Sequence, residues 1–225
     1  MSELPIFYSF RRCPYAMRAR LAVLSSGVKV ELREILLRDK APAFLKVSPS
    51  ATVPCLVAAS GEVIDESLDV MLWALRKSDP ENWLSPDAGS LADMLTFIGE
   101  MDGDFKRHLD RYKYDTRYPD ASRNSERKAA ADILVDLEKR LQRTPWLFGK
   151  RAALADYAFL PFLRQFANVD RDWFDAEDWP NLKGWLANFE ASDSFAVIMP
   201  KLPKWQDGDV PLVFPACSFP KITKA

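Results

Sequence analysis

A chain of 225 residues, 48% hydrophobic and 28% charged with a formal net charge of −1, is long enough for one large domain or two modest ones with real cores. So even a charge balance gives no electrostatic case for nucleic acid as a partner, and no stretch of about 18 apolar residues offers a membrane span. The opening MSELPIFYSFRR lacks a secretory pattern, and three cysteines (Cys13, Cys55, Cys217) are too few for a disulfide framework, so the expected compartment is the cytoplasm.

In chain order, LPIFYSF is predicted to be a strand, rich in aromatic and branched residues. A helix is predicted from Pro14 to about Ser26. Proline opens it, Met17, Leu21 and Leu24 form an apolar stripe, and Gly27 ends it. VKVELREI alternates as a second strand, and APAFLKV makes a short helical turn. VPCLVAASGEVI reads as two strands joined at Ser60-Gly61. DESLDVMLWALR is predicted helical, with Leu68, Leu72 and Leu75 on one face and acidic residues in its first turn. The order over residues 1–78 is therefore β-α-β followed by β-β-α.

Turn formers crowd KSDPENWLSPDAG, which marks a linker at 79–89. From residue 90 to 225 the period is helical. SLADMLTFIGEMDGDFKRHLDRYKY is one long helix or two in line, with Gly99 and Gly103 as points for a bend. SERKAAADILVDLEKRLQR is amphipathic, with Ile133, Leu137 and Leu141 in one row. LADYAFLPFLRQFANV is apolar nearly all round and is expected at the centre of this second domain. WPNLKGWLANFEAS is a further helix, and the proline-rich end reads as an irregular tail packed on the surface.

The lone histidine, His108, narrows the chemistry. Zinc sites usually need several His or Cys ligands at set spacings, so no metal is expected. A Ser-His-Asp or Cys-His machine would have to use His108, which sits in a charged helical pattern. With eight glycines in all and neither G-x-x-x-x-G-K nor G-x-G-x-x-G, phosphate-cradling loops are not expected either.

The stretch SFRRCPYAMRAR carries the strongest chemical signal. A thiol at a helix start faces unpaired backbone N–H groups and the positive end of the helix dipole, and both favour the thiolate. Cysteines so placed move from about 8.5 to roughly 3.5–7.5. Arg11 and Arg12 are candidates to add positive potential. The alternative is a small buried side chain, since free cysteine often serves as core. The spacing is C-x-x-A: Ala16 cannot resolve a mixed disulfide, so a one-cysteine mechanism needs a thiol from outside, and glutathione is the obvious soluble donor.

Cys13-Pro14-Tyr15-Ala16 at a first helix, Val53-Pro54 before a strand, Glu66-Ser67 opening a helix and LFGKRAALADYAFLPFLRQF in the second half together resemble the cytosolic glutathione transferase superfamily, in its cysteine-type, omega-like form. The resemblance covers almost the whole chain. It implies a thioredoxin-like N-terminal domain with a mixed four-stranded sheet, an all-α C-terminal domain and a homodimer. It also implies Cys13 as the catalytic residue and glutathione as cosubstrate. Val53 and cis-Pro54 would meet the glutathione backbone, Glu66 and Ser67 its γ-glutamyl end, and Lys40 its glycyl carboxylate, with Tyr15 flanking the pocket.

A cysteine in this place favours thiol transfer or reduction through a mixed disulfide. Two alternatives stand beside it: conjugation of an electrophile with Ser9 or Tyr8 activating the glutathione thiol, and a non-catalytic, partner-binding homologue. Ala153 departs from the family's helix-capping Ser/Thr, although Asp156 remains. Cys55 is expected to be buried and inert, and Cys217 unpaired. The second substrate is expected on the helix after the linker, where Phe105, His108, Arg111 and Tyr112 share a possible face. Their alternative reading is a solvated helix surface.

Overall fold

The computed structural model describes residues 4–216. They form two compact units: residues 4–81 with 192–216, and residues 82–191.

In the first unit β1 (Ile6–Ser9) is the centre of the sheet, and three of its four side chains are buried. α1 (Pro14–Ser26) starts on a proline, whose missing N–H is no loss at a helix start, and stops at Gly27 with φ of 70°. β2 (Val30–Glu34) runs parallel to β1, with Ile6 beside Glu31. After α2 (Pro42–Val47), β3 (Cys55–Val57) lies antiparallel to β1 on its other side, with Tyr8 opposite Cys55. β4 (Val63–Ile64) closes the hairpin, and α3 (Ser67–Leu75) packs on α1. On α3 the most deeply buried side chains are Val70, Met71 and Ala74, while Leu68 is only half-buried.

The second unit is helical. α4 (Leu91–Glu100) opens with a capping box between Ser90 and Asp93. It continues through a π-helical turn at Met101–Phe105, around Gly103, into α5 (Lys106–Lys113). α6 (Arg123–Leu141) buries Ala130, Leu134, Leu137 and Leu141; the inward row runs through Leu134 in place of the expected Ile133. α7 (Leu154–Ala167) is buried nearly all round, as its composition requires. α8 (Arg171–Ala176) and α9 (Pro180–Glu190) complete the unit. The stretch 82–89 is built into this unit and is no slack linker. The Trp83 ring stacks on Tyr157 at 3.8 Å, and Asp87 accepts the N–H groups of Lys150 and Arg151. Gly149 is held to glycine there, because a Cβ would lie 2.5 Å from that of Asp87.

The chain then returns to the first unit, where α10 (Asp193–Ile198) packs on α1. The tail adds β5 (Val213–Phe214), antiparallel to β2. Two expectations are corrected here. The sheet has five strands, in the order β4-β3-β1-β2-β5, where four were expected. The tail also belongs with the thioredoxin-like unit, whereas a helical domain running from 90 to 225 was expected. The cause is the outer edge of β2, whose unpaired backbone groups the tail satisfies. Among the described residues no helix is long and apolar enough to cross a membrane.

Candidate active site

Cys13 is the N-cap of α1. Its backbone is extended, with φ −81° and ψ 122°, its side chain makes no capping bond, and Pro14 follows as the first helical residue. The thiol is half-buried, and its Sγ lies 3.6 Å from the carbonyl oxygen of Val53, to which it donates. Two influences therefore oppose one another at this sulfur. The helix amides favour the thiolate, whereas the Val53 carbonyl favours the S–H. Val53-Pro54 is a cis peptide, as the resemblance implied. Cys13 packs against a cluster that includes Tyr8, Ala41, Phe44, Val53, Cys55 and Trp205.

The two arginines before the cysteine are engaged elsewhere. Arg11 donates its backbone N–H to Glu34 at 2.9 Å and its Nη1 to the Met199 carbonyl, and the Arg12 guanidinium lies 5.2 Å from the centroid of the Phe10 ring. Inside α1, Arg20 is almost fully enclosed. It pairs with Glu34 and donates Nε to the Ser9 hydroxyl at 2.7 Å and Nη1 to the Ile198 carbonyl at 3.0 Å. Burial lowers the guanidinium pKa, Glu34 opposes this, and Arg11 and Cys13 act on it through space.

The same region holds Ser9 and Tyr8, the two hydroxyls of the conjugating alternative, and each has an arginine partner. The Ser9 hydroxyl has no exposure and serves Arg20. Tyr8 is 2% exposed, its hydroxyl accepts from Arg33 Nη1 at 2.8 Å, and burial raises its pKa in spite of that cation.

The cysteine of β3 is buried, as expected. Cys55 is fully buried, and burial followed by the neighbouring Asp65 charge pushes its thiol up to about 12. Burial also works to raise Asp65, but hydrogen bonds from Ser50 and Ser48 outweigh it and hold the carboxyl low. Cys217 lies outside the described residues.

At the start of α3, Glu66 is the exposed N-cap and Ser67 the first helical residue. Ser67 is buried, and its hydroxyl oxygen accepts from Arg18 Nε at 3.0 Å and Nη2 at 2.8 Å. The same guanidinium lies 5.0 Å from the centroid of the Tyr15 ring. Arg18 thus joins two expected site residues, Tyr15 on α1 and Ser67 on α3, and it escaped the sequence reading. The available signal was two arginines inside AMRARLAV, a helix stretch otherwise made of small and apolar residues. Lys40 sits half-buried just after the turn closed by the Leu36–Asp39 bridge, next to Ala41 of the cluster around Cys13.

The expected second-substrate face does not exist as one face. Phe105 and Tyr112 are core residues, 0% and 1% exposed, both packed on Phe166. His108 and Arg111 point instead to Glu126, each bonding one carboxylate oxygen at 2.6 Å, with Arg111 also reaching Asp120. Burial works to raise Glu126, but these two donors keep it low. The four residues divide between the inner and outer sides of the stretch that runs from the π-helical turn into α5. Among the described residues no group of three or more His, Cys, Asp and Glu side chains is placed to hold a metal.

Comparison with known proteins identifies the class. Residues 7–83 match the glutathione S-transferase N-terminal domain and residues 120–188 the C-terminal domain, so the chain belongs to the glutathione S-transferase family. Among curated relatives, pig glutathione S-transferase omega-1 is 26% identical over 80% of this chain and 74% of its own length. Glutathione S-transferase U19 of Arabidopsis thaliana is 25% identical over 89% of this chain and 91% of its own. A Pseudomonas fluorescens family member with two glutathione molecules bound superposes with a TM-score of 0.74 at 20% identity, covering 88% of this chain and 92% of that one. The transferase URE2P6 of Phanerochaete chrysosporium, in complex with oxidised glutathione, gives 0.75 at 18% identity over 88% and 95%.

Proposed function

We propose that this protein is a glutathione-dependent thiol transferase working through Cys13. The observation that carries the reading is a half-buried thiol at an uncapped helix start, with Ala16 where a dithiol enzyme would have its second cysteine. The other described thiol, Cys55, is fully enclosed and pushed up to about 12, so it is no resolving partner.

The Cys13 thiolate attacks the glutathione sulfur of a substrate–glutathione disulfide. The S–S bond breaks, the substrate thiolate leaves and takes a proton from water, and glutathione stays bonded to Cys13. A second glutathione thiolate attacks that adduct, releasing oxidised glutathione and restoring the Cys13 thiolate.

Glutathione would bind as an added strand along the backbone of Val53, beside cis-Pro54, with Tyr15 flanking it. Its γ-glutamyl carboxylate would take the N–H groups at the start of α3 and the Ser67 hydroxyl. Because the Ser67 oxygen accepts from Arg18, its own hydrogen is free to donate, and the guanidinium adds positive charge behind it. Glu66 would meet the ammonium and Lys40 the glycyl carboxylate. On the family pattern the working enzyme is a cytoplasmic homodimer.

Mass spectrometry after incubation with oxidised glutathione tests the reading. The expected result is a glutathione adduct on Cys13, lost in Cys13→Ala together with reduction of a mixed-disulfide substrate. Full activity retained by Cys13→Ala rejects the role.

A further inference from the structure

The tail that adds the fifth strand also reaches the buried cluster against which Cys13 packs. Trp205 donates its backbone N–H to the Glu34 carbonyl at 2.9 Å, directly beyond β2. Its ring is 8% exposed, sits edge-on to Tyr8 with centroids 6.0 Å apart, and is covered by the Arg33 guanidinium at 4.1 Å. Trp205 belongs to the same buried cluster as Ala41, Phe44 and Val53, against which Cys13 packs. One residue earlier, Lys204 forms an ion pair with Asp39. Asp39 itself closes the turn at Leu36 through its backbone N–H at 2.9 Å.

Lys40 lies between these two anchors. The residue before it is tied by charge to the tail, and the residue after it is buried 5% exposed in the tryptophan's cluster. Without the tail, the 36–41 turn would lose the charge on one side and the ring on the other. A loop lysine presented to a carboxylate must be held within a fraction of an ångström to contribute fully.

We infer that the C-terminal strap is a working part of the glutathione site, with Trp205 and Lys204 as positioning residues that set the turn presenting Lys40 to the glycyl carboxylate. The inference rests on the glutathione reading above and assigns a role to a segment that reading does not use. The strap acts on binding of one end of the tripeptide and leaves the sulfur chemistry at Cys13 alone. Trp205 contributes most of the effect, because the Lys204–Asp39 pair is largely exposed and such pairs contribute little.

The test compares two thiol cosubstrates in the full-length enzyme: glutathione, and γ-glutamylcysteine, which lacks the glycyl carboxylate. For Trp205→Ala the expected KM for glutathione rises about tenfold with kcat held within about twofold, while KM for γ-glutamylcysteine barely moves. Lys204→Met is expected to give about a twofold rise with the same selectivity, and Trp205→Phe, which keeps a ring, to restore most of the loss. A strap whose variants weaken both thiols equally, or neither, overturns the inference while leaving the glutathione site standing. Calorimetry on the unaltered protein separates the two levels: no binding of glutathione there overturns the site reading itself. Should Trp205→Ala fail to fold, Lys204→Met and Trp205→Phe carry the comparison.

Discussion

α1 and α7 begin in opposite ways, and the contrast explains which of the two helix starts can do chemistry. α7 starts in a closed interior. Its N-cap, Ala153, has no side-chain acceptor, and Asp156 reaches back to take the Ala153 N–H at 2.9 Å and the Leu147 N–H at 2.9 Å. That carboxyl has no exposure, and its donors are consumed by structure. α1 starts with a cysteine whose side chain caps nothing and whose sulfur is half-buried. One start spends its dipole on its own loop; the other leaves it facing a reactive atom.

The largest expected effect breaks the comparison on the open side. Cys13→Ala should lower the reduction of a glutathione mixed disulfide by about a hundredfold or more, whereas Cys55→Ala should leave the rate within about twofold. Steady-state assays of both variants check this.

On the closed side the expected effect is on stability. Burial raises the Asp156 carboxyl from its ordinary 3.8 to about 7, against the pull of the Leu147 and Ala153 N–H groups. Between those values the folded chain keeps a proton that the unfolded chain has released. The group's contribution is therefore full below about pH 4 and lost as pH rises through about 7. Thermal unfolding followed across that window should show the decline, and Asp156→Asn should flatten it while lowering stability by about 1–3 kcal/mol. A variant with the same slope as the unaltered chain would remove Asp156 as its source.

Ser67 at the start of α3 sharpens the comparison, as a third helix start held by a buried cation. Ser67→Ala should raise KM for glutathione about tenfold, by losing the hydroxyl that Arg18 orients. Ser67→Thr should retain most of the affinity, and equal binding by Ser67→Ala would take the hydroxyl out of the site. The smallest effect is expected at Ala153. Ala153→Ser adds a side-chain acceptor for the Asp156 N–H, which already donates to the Ala153 carbonyl at 3.1 Å, contributing about 1 kcal/mol and raising the melting temperature by about 2–4 °C. An unchanged or lowered value counts against this reading of the cap.

How far the sequence carried can be read from these same positions. The limits of α1 were legible because Pro14 and Gly27 act locally, and the β-α-β, β-β-α order followed from local periodicity. The family motifs marked Cys13, Val53-Pro54 and Glu66-Ser67. Long-range partners were not legible. Nothing local says that Arg20 would take the Ser9 hydroxyl, or that Arg18 would hold Ser67 across 49 residues of chain. The fifth strand escaped for the same reason, since Val213–Phe214 is too short to signal a strand until β2 offers it an edge. Phe105 and Tyr112 were misplaced because helical spacing groups residues without telling which side meets the core.

The most direct measurement is the pH dependence of alkylation at Cys13, read site by site with Cys55 as the internal reference. It decides between the helix amides and the Val53 carbonyl, which pull the Cys13 proton in opposite directions. The expected result is a Cys13 rate already close to its plateau at neutral pH, with Cys55 inert throughout. A Cys13 rate that still climbs with each step of pH above neutrality, as for an ordinary thiol, contradicts the reading of this sulfur as the nucleophile.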